Sequence, residues 1–86
     1  METTVQTSIR TSIRRYLTEE LISFDEHVPD DAPLEDHDLD SEQIVALVLF
    51  LEEQFQIQVG DEEITIGNFG SVQALVAFIS CKMDRN

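Results

Sequence analysis

The chain begins with an apolar position at every fourth residue. Side chains at this spacing lie one above another on a helix, so the pattern predicts an amphipathic helix from Thr4 to Glu20. Its inward face would consist of Val5, Ile9, Ile13 and Leu17, with Tyr16 beside them. Arg10 and Arg14 fall on a different face, which we expect to be solvated.

A second and wider apolar stripe predicts a helix from Ser41 to Phe55. The stripe is broad enough to face a core and consists of Ile44, Val45, Leu47, Val48, Leu51 and Phe55. Asp40 with Gln43 three residues later fits a capping box, in which Asp40 is the N-cap. Ser41 is then the first helical residue, and the cap does not need its hydroxyl.

The C-terminal third predicts one more long helix and one short one. Residues 71–82 form an apolar face of Val72, Leu75, Val76 and Ile79, and Lys82 lies near the end of that helix. Gly60 to Ile64 predicts a short helical turn with acidic residues at its start, and Gln56 to Val59 predicts a connector. We therefore expect an all-α fold, a small four-helix bundle with three main helices and one short helix, in a single domain over residues 1–86.

Between the first two helices the apolar spacing is lost, which predicts a long loop from Ser23 to Asp40. This stretch contains two prolines among many acidic residues. Long loops in compact domains are held by a few apolar side chains or serve a function. The predicted anchors are Phe24, Val28, Leu34 and Leu39.

Charge is distributed very unevenly along the chain. The net charge is -13, and 16 of the 18 acidic residues lie between Tyr16 and Cys81, where there is no Lys or Arg. Such a segment disfavours nucleic-acid binding, which needs cations opposite phosphates, and favours encounter with basic protein surfaces. No stretch is apolar enough to span a bilayer and no leader is visible, so we expect a monomeric cytoplasmic protein without a membrane partner.

The acidic loop and the rarer side chains offer little for metal binding or catalysis. Asp36, Asp38 and Asp40 match the first ligand positions of an EF-hand, but Ser41 and Leu47 stand where that loop needs glycine and glutamate. His27 and His37 are expected to be solvated loop residues without a metal, and Cys81 a small filler on the last helix. No acid–base pair for an enzyme is visible.

The stretch from Asp40 to Phe55, DSEQIVALVLFLEEQF, resembles the signature of acyl carrier proteins. That family has Asp-Ser-Leu at the start of its second helix and closes the helix on Leu-Glu-Glu-x-Phe. The residues 34–36 (LED) resemble the acidic turn before the motif. The residues 61–63 (DEE) and 69–74 (FGSVQA) are similar to the regions of the third and fourth helices.

The resemblance implies that Ser41, flanked by Asp40, carries 4′-phosphopantetheine transferred from coenzyme A by a phosphopantetheinyl transferase. The arm would hold acyl or aminoacyl groups as thioesters, and the carrier itself would not be an enzyme. Four residues depart from the family pattern: Glu42 replaces Leu or Met after the serine, Asp38 replaces a common glycine, and Gln43 and Ala46 stand where carboxylates are frequent. These departures favour a specialised pathway, such as polyketide biosynthesis, over housekeeping fatty-acid synthesis.

The resemblance also implies a docking face on the second helix. Glu42, Leu49, Glu52 and Glu53 are the predicted partner-binding residues. The partner would be an acyltransferase, ketosynthase or adenylation enzyme with a basic patch. Two alternatives stay open: an aminoacyl or peptidyl carrier, and an unmodified acidic protein that occupies a basic partner surface.

Overall fold

The computed structural model describes residues 4–37 and 39–84, and within them the fold is all-α, as predicted. Three long helices account for most of it: α1 (Thr4–Glu20), α2 (Ser41–Phe55) and α4 (Val72–Asp84). The bounds of α1 and α2 match the prediction, and those of α4 differ by two residues or fewer at each end. Helix ends commonly vary by this much.

The short helical part was only partly predicted. A 3₁₀ turn at Asp61–Glu63 lies within the predicted stretch, but the fourth α-helix is α3 (Ile66–Phe69), which the pattern did not reveal. Four residues are too few to show a helical repeat. Local capping defines α3 instead, since the Thr65 hydroxyl accepts a hydrogen bond from the Asn68 amide at 3.2 Å.

A single apolar core joins all the long helices and the loop. The helices contribute Ile9, Ile13 and Leu17 from α1, Leu47 and Leu51 from α2, and Val72, Leu75, Val76 and Ile79 from α4. The four predicted loop anchors, Phe24, Val28, Leu34 and Leu39, are all buried in the same cluster. Burial of these side chains supplies the main driving force for folding.

Two residues predicted to face inward are instead exposed. Val45 is 60% exposed because it lies about 200° around α2 from the buried Leu47. Val5 is 53% exposed because it lies in the first turn of α1, beside the last turn of α4, where little of the bundle remains to cover it.

The prediction of a solvated face for Arg10 and Arg14 was wrong. Their side chains are only 31% and 21% exposed, and both contact the carboxylate of Asp30, Arg10 Nε at 2.7 Å and Arg14 Nη1 at 2.8 Å. Arg14 also donates to the carbonyls of Asp25 and Glu26, and its guanidinium lies 5.1 Å from the ring centroid of Phe24. The two arginines therefore hold the long loop against α1.

The backbone of the loop is also attached to the residues at and just before the start of α4. The amide of Leu34 donates to the carbonyl of Gly70 at 2.8 Å, and the amide of Gln73 donates to the carbonyl of Asp30 at 2.8 Å. A 3₁₀ turn at Leu34–His37 then leads towards α2. Asp30 and Leu34, in the loop that precedes Ser41, are therefore held against the start of α4.

Candidate functional site

Ser41 is the first residue of α2, and Asp40 caps the helix without it. Asp40 has extended backbone angles, and its Oδ1 accepts a hydrogen bond from the amide of Gln43 at 3.0 Å. The amide of Ile44 donates to the Asp40 carbonyl at 2.9 Å, which closes the first helical turn. This cap satisfies one of the amides that a helix start leaves without a partner.

The hydroxyl of Ser41 is therefore available for chemistry. Ser41 is exposed, and its side chain makes no hydrogen bond to the part of the chain that the structure describes. The start of a 15-residue helix carries partial positive charge, which favours a phosphate ester at this position. The geometry fits a phosphopantetheine group attached through the Ser41 oxygen.

An apolar cavity of about 210 Å³ opens beside the start of α2. It lies between the end of the long loop, the first turn of α2 and the segment around α3. Leu39 and Ile44, two residues before and three residues after Ser41, line one side of it. The remaining lining consists of Pro33, Glu35, Ile64, Thr65, Ile66, Phe69 and Gly70. The apolar surface of the cavity therefore begins within one helical turn of Ser41 along the chain.

Three of the four predicted docking residues share the outward face of α2. Glu42, Leu49 and Glu53 are exposed, and Leu49 is 61% exposed. Val45 belongs to this face as well and was missed, because the pattern placed it inside. Its spacing of four from Leu49 was the signal that could have found it. Together these side chains form an apolar strip with a carboxylate at each end.

Glu52, the fourth predicted docking residue, makes contacts within the fold. It is half-buried, and its carboxylate accepts a hydrogen bond from the amide of Val59 at 3.0 Å. Its carbonyl accepts from the amides of Gln56 and Ile57 at the end of α2. Glu52 therefore ends the helix and holds the connector, which argues against the predicted role in docking.

The surroundings of the two histidines and the cysteine differ in part from those predicted. His27 is exposed, with its Nε2 3.6 Å from the Glu26 carboxylate. His37, expected to be solvated, is half-buried: its Nδ1 donates to the Ser23 carbonyl at 3.1 Å and its ring meets Phe24 edge-on. Cys81 is exposed, so the prediction that it fills space in the bundle was wrong.

Residues 4–37 and 39–84 contain neither a metal-binding cluster nor a membrane-spanning helix. Those residues contain no group of three or more His, Cys, Asp or Glu side chains able to hold a metal ion. Asp38, one of the three acids that resemble a calcium loop, lies outside the described residues. No helix in the same ranges has both the length and the apolar character needed to cross a bilayer.

Comparison with known proteins agrees with this geometry. A family described as "Phosphopantetheine attachment site" matches residues 8–79, which is most of the chain. The fold is similar to that in the crystal structure of an acyl carrier protein from Thermotoga maritima, with a TM-score of 0.77 and 20% sequence identity over 99% of this chain and 98% of that one. No curated protein sequence matches significantly. The chain therefore belongs to the family of carrier proteins with a phosphopantetheine attachment site, whose cofactor is covalent 4′-phosphopantetheine, and it has the fold of an acyl carrier protein.

Proposed function

We propose that this protein is an acyl carrier in a polyketide or other specialised biosynthetic pathway, loaded at Ser41. The observation that carries the proposal is that Asp40 and Ser41 have different roles at the start of α2. Asp40 caps the helix, and Ser41 is exposed, with no hydrogen bond from its side chain to residues 4–37 or 39–84. A serine in that state has no structural task that would oppose its modification.

Loading requires a separate phosphopantetheinyl transferase. The Ser41 oxygen attacks the phosphorus next to the pantetheine part of coenzyme A, an O–P bond forms, and the pyrophosphate bond breaks. The nucleotide half of coenzyme A leaves, and the hydroxyl proton passes to a base on the transferase. When bound, the arm supplies a terminal thiol that holds cargo as a thioester. The chain's own part is to present Ser41, and we propose no catalytic role for it.

The helix start stabilises the new phosphodiester charge against its acidic surroundings. Asp40 and Glu42 flank the attachment point and repel an anion, whereas the partial positive charge at the start of α2 attracts it. Such helix–charge interactions contribute about 0.3–1 kcal/mol each at exposed positions. A phosphodiester at Ser41 is therefore tolerated in spite of the net charge of -13.

The test of attachment is intact mass after incubation with coenzyme A and a broad-specificity transferase. We expect the wild-type chain to gain one phosphopantetheine and Ser41→Ala to gain none. Ser8→Ala, which removes an exposed serine on α1, is the matched control and should load normally. Failure of the folded wild-type chain to load with several transferases would instead support an unmodified acidic binding protein.

We further propose that partner enzymes dock on the outward face of α2, defined by Glu42, Val45, Leu49 and Glu53. Its apolar centre and acidic ends complement a partner with a basic rim around an apolar notch. Reversal of charge in Glu42→Lys and Glu53→Lys should slow loading. Glu19→Lys, the same change at an exposed site on α1, should not. Equal loading rates for all three variants would remove this face from the proposal.

The pathway assignment rests on Glu42, where the related motif has an apolar residue. A carboxylate there disfavours partners that expect an apolar contact next to the serine. The partners we propose are an acyltransferase and a ketosynthase, with the chain in the cytoplasm. An adenylation enzyme in the same gene neighbourhood would instead indicate an aminoacyl or peptidyl carrier.

A further inference from the structure

One ion pair links the last turn of α4 to the turn before α3. Lys82 Nζ lies 2.7 Å from Glu63 Oε1, and the two side chains are only 23% and 27% exposed. The ammonium also lies 5.7 Å from the ring centroid of Phe78 on α4. Partial burial reduces solvent screening, so this pair is stronger than a fully exposed one.

Glu63 is also the residue that organises its own turn. The same Oε1 accepts a hydrogen bond from the amide of Gly60 at 2.9 Å. Its carbonyl accepts from the amide of Thr65 at 3.0 Å and from Asn68 Nδ2 at 2.9 Å. Through these contacts the ends of the segment from residue 60 to residue 68 are both connected to Glu63, and Glu63 is connected to α4 by Lys82.

That segment is one wall of the cavity beside Ser41. Ile64, Thr65 and Ile66 line the cavity opposite the first turn of α2, and Ile66 is 82% exposed at its rim. The turn also brings three consecutive carboxylates together, from Asp61 to Glu63. Mutual repulsion among them favours opening of the turn, and the charge of Lys82 opposes it.

We propose that Lys82 is a positioning residue that, through Glu63, holds this wall in place and so sets how far the cavity opens to cargo carried on Ser41. The part of the proposal that concerns cargo rests on the proposed carrier function. The part that concerns the wall does not, and it can be tested on the unmodified chain.

The first experiment measures amide hydrogen exchange in the unmodified protein. Lys82→Met should speed exchange at Gly60 and Asn68 by about two- to fivefold, the range expected for loss of one ion pair, and leave the core amide of Leu51 unchanged. Arg15→Met removes one positive charge from an exposed site on α1 and is the matched control. Lys82→Arg, which retains the charge, should restore slow exchange.

The carboxylate of the ion pair can be tested with its own matched control. Glu63→Gln keeps an oxygen that can accept from the Gly60 amide and removes only the charge, so it should also speed exchange, but less than Lys82→Met because it relieves part of the repulsion within the turn. Glu62→Gln makes the same change at the exposed neighbour and should not. The double variant should exchange no faster than Lys82→Met alone, since both substitutions remove the same ion pair. If Lys82→Met and Glu63→Gln exchange no faster than the control variants Arg15→Met and Glu62→Gln, the proposal is overturned.

The second experiment concerns cargo and uses the chain loaded with an octanoyl or an acetyl thioester. Lys82→Met should speed hydrolysis of the octanoyl thioester about two- to fivefold, and affect the acetyl thioester less, because only the longer chain reaches an apolar wall. Equal hydrolysis in wild type and variant, together with faster exchange, would overturn the link to cargo. If the wild-type chain gains no arm, the carrier function fails, and exchange alone decides the role of Lys82.

Discussion

Removal of the Asp30 carboxylate is expected to release the long loop from α1. Asp30→Ala eliminates contacts to Arg10 and Arg14 at 2.7 and 2.8 Å. It retains the Asp30 carbonyl, which accepts from the Gln73 amide, so the backbone attachment to α4 survives. The substitution therefore isolates the side-chain contribution of Asp30.

The expected magnitude follows from the exposure of the three side chains. An exposed ion pair contributes about 0.2–1 kcal/mol, and hydrogen bonds to charged groups about 1.5–3 kcal/mol. Asp30 is 33% exposed, so both pairs lie between surface and interior. We expect the free energy of unfolding to fall by about 1–2 kcal/mol. For a domain of this size that corresponds to a loss of about 5–15 °C in Tm.

The measurement is thermal unfolding of the unmodified chain followed by circular dichroism. Asp31→Ala is the matched control, because it removes an adjacent carboxylate that is exposed. It should leave Tm unchanged or raise it slightly by relieving repulsion. The difference in Tm between Asp30→Ala and wild type should also become smaller at about 1 M salt, where the Debye length is about 3 Å. Equal melting temperatures for the two variants at low salt would refute this account of the loop.

Three further outcomes are expected from single positions. Asp40→Ala should lower the free energy of unfolding by about 1 kcal/mol in urea titrations through loss of the N-cap, and wild-type stability in that variant would contradict the cap. Gln56 has a left-handed backbone with φ of 55°, which glycine adopts more easily than alanine. The free energy of unfolding of Gln56→Gly should therefore exceed that of Gln56→Ala by about 1 kcal/mol in urea titrations, and the reverse order would show that the residue is not strained. Burial, and then the charge of Glu20, raise the pKa of Tyr16 above its ordinary value of 10.0, so its stabilising effect is complete below pH 10.0 and is lost as the pH rises through the folded-state pKa. Phenolate absorbance reports this titration directly, since Tyr16 is the one tyrosine and there is no tryptophan, and Glu20→Gln should lower the midpoint.

Prediction from sequence succeeded where a property repeats along the chain. The apolar periods of α1, α2 and α4 revealed the helices and most of their inward residues. The same reasoning failed for α3, because four residues do not complete enough turns to show a period. It also failed for Val45, since a wide stripe does not reveal which of its edges the other helices cover.

The start of α2 could be predicted further than its surroundings. Asp40, Ser41 and Gln43 are neighbours in sequence, so their capping geometry is local, and the structure has the predicted hydrogen bond from the Gln43 amide. The role of Glu52 depends on a connector that folds back to place the Val59 amide 3.0 Å from its carboxylate. Nothing in the helical pattern of α2 carries that information.

The sequence by itself determined the three long helices and the serine at the start of α2, because each depends on residues within a few positions of one another. The tertiary structure alone decided which cations meet which carboxylates. Arg14 and Asp30 are 16 residues apart, and Lys82 and Glu63 are 19 apart. It also decided the cavity beside Ser41, which is a gap between a loop, a helix and a turn. Such contacts depend on how elements pack in three dimensions, and a linear pattern of side chains does not contain that arrangement.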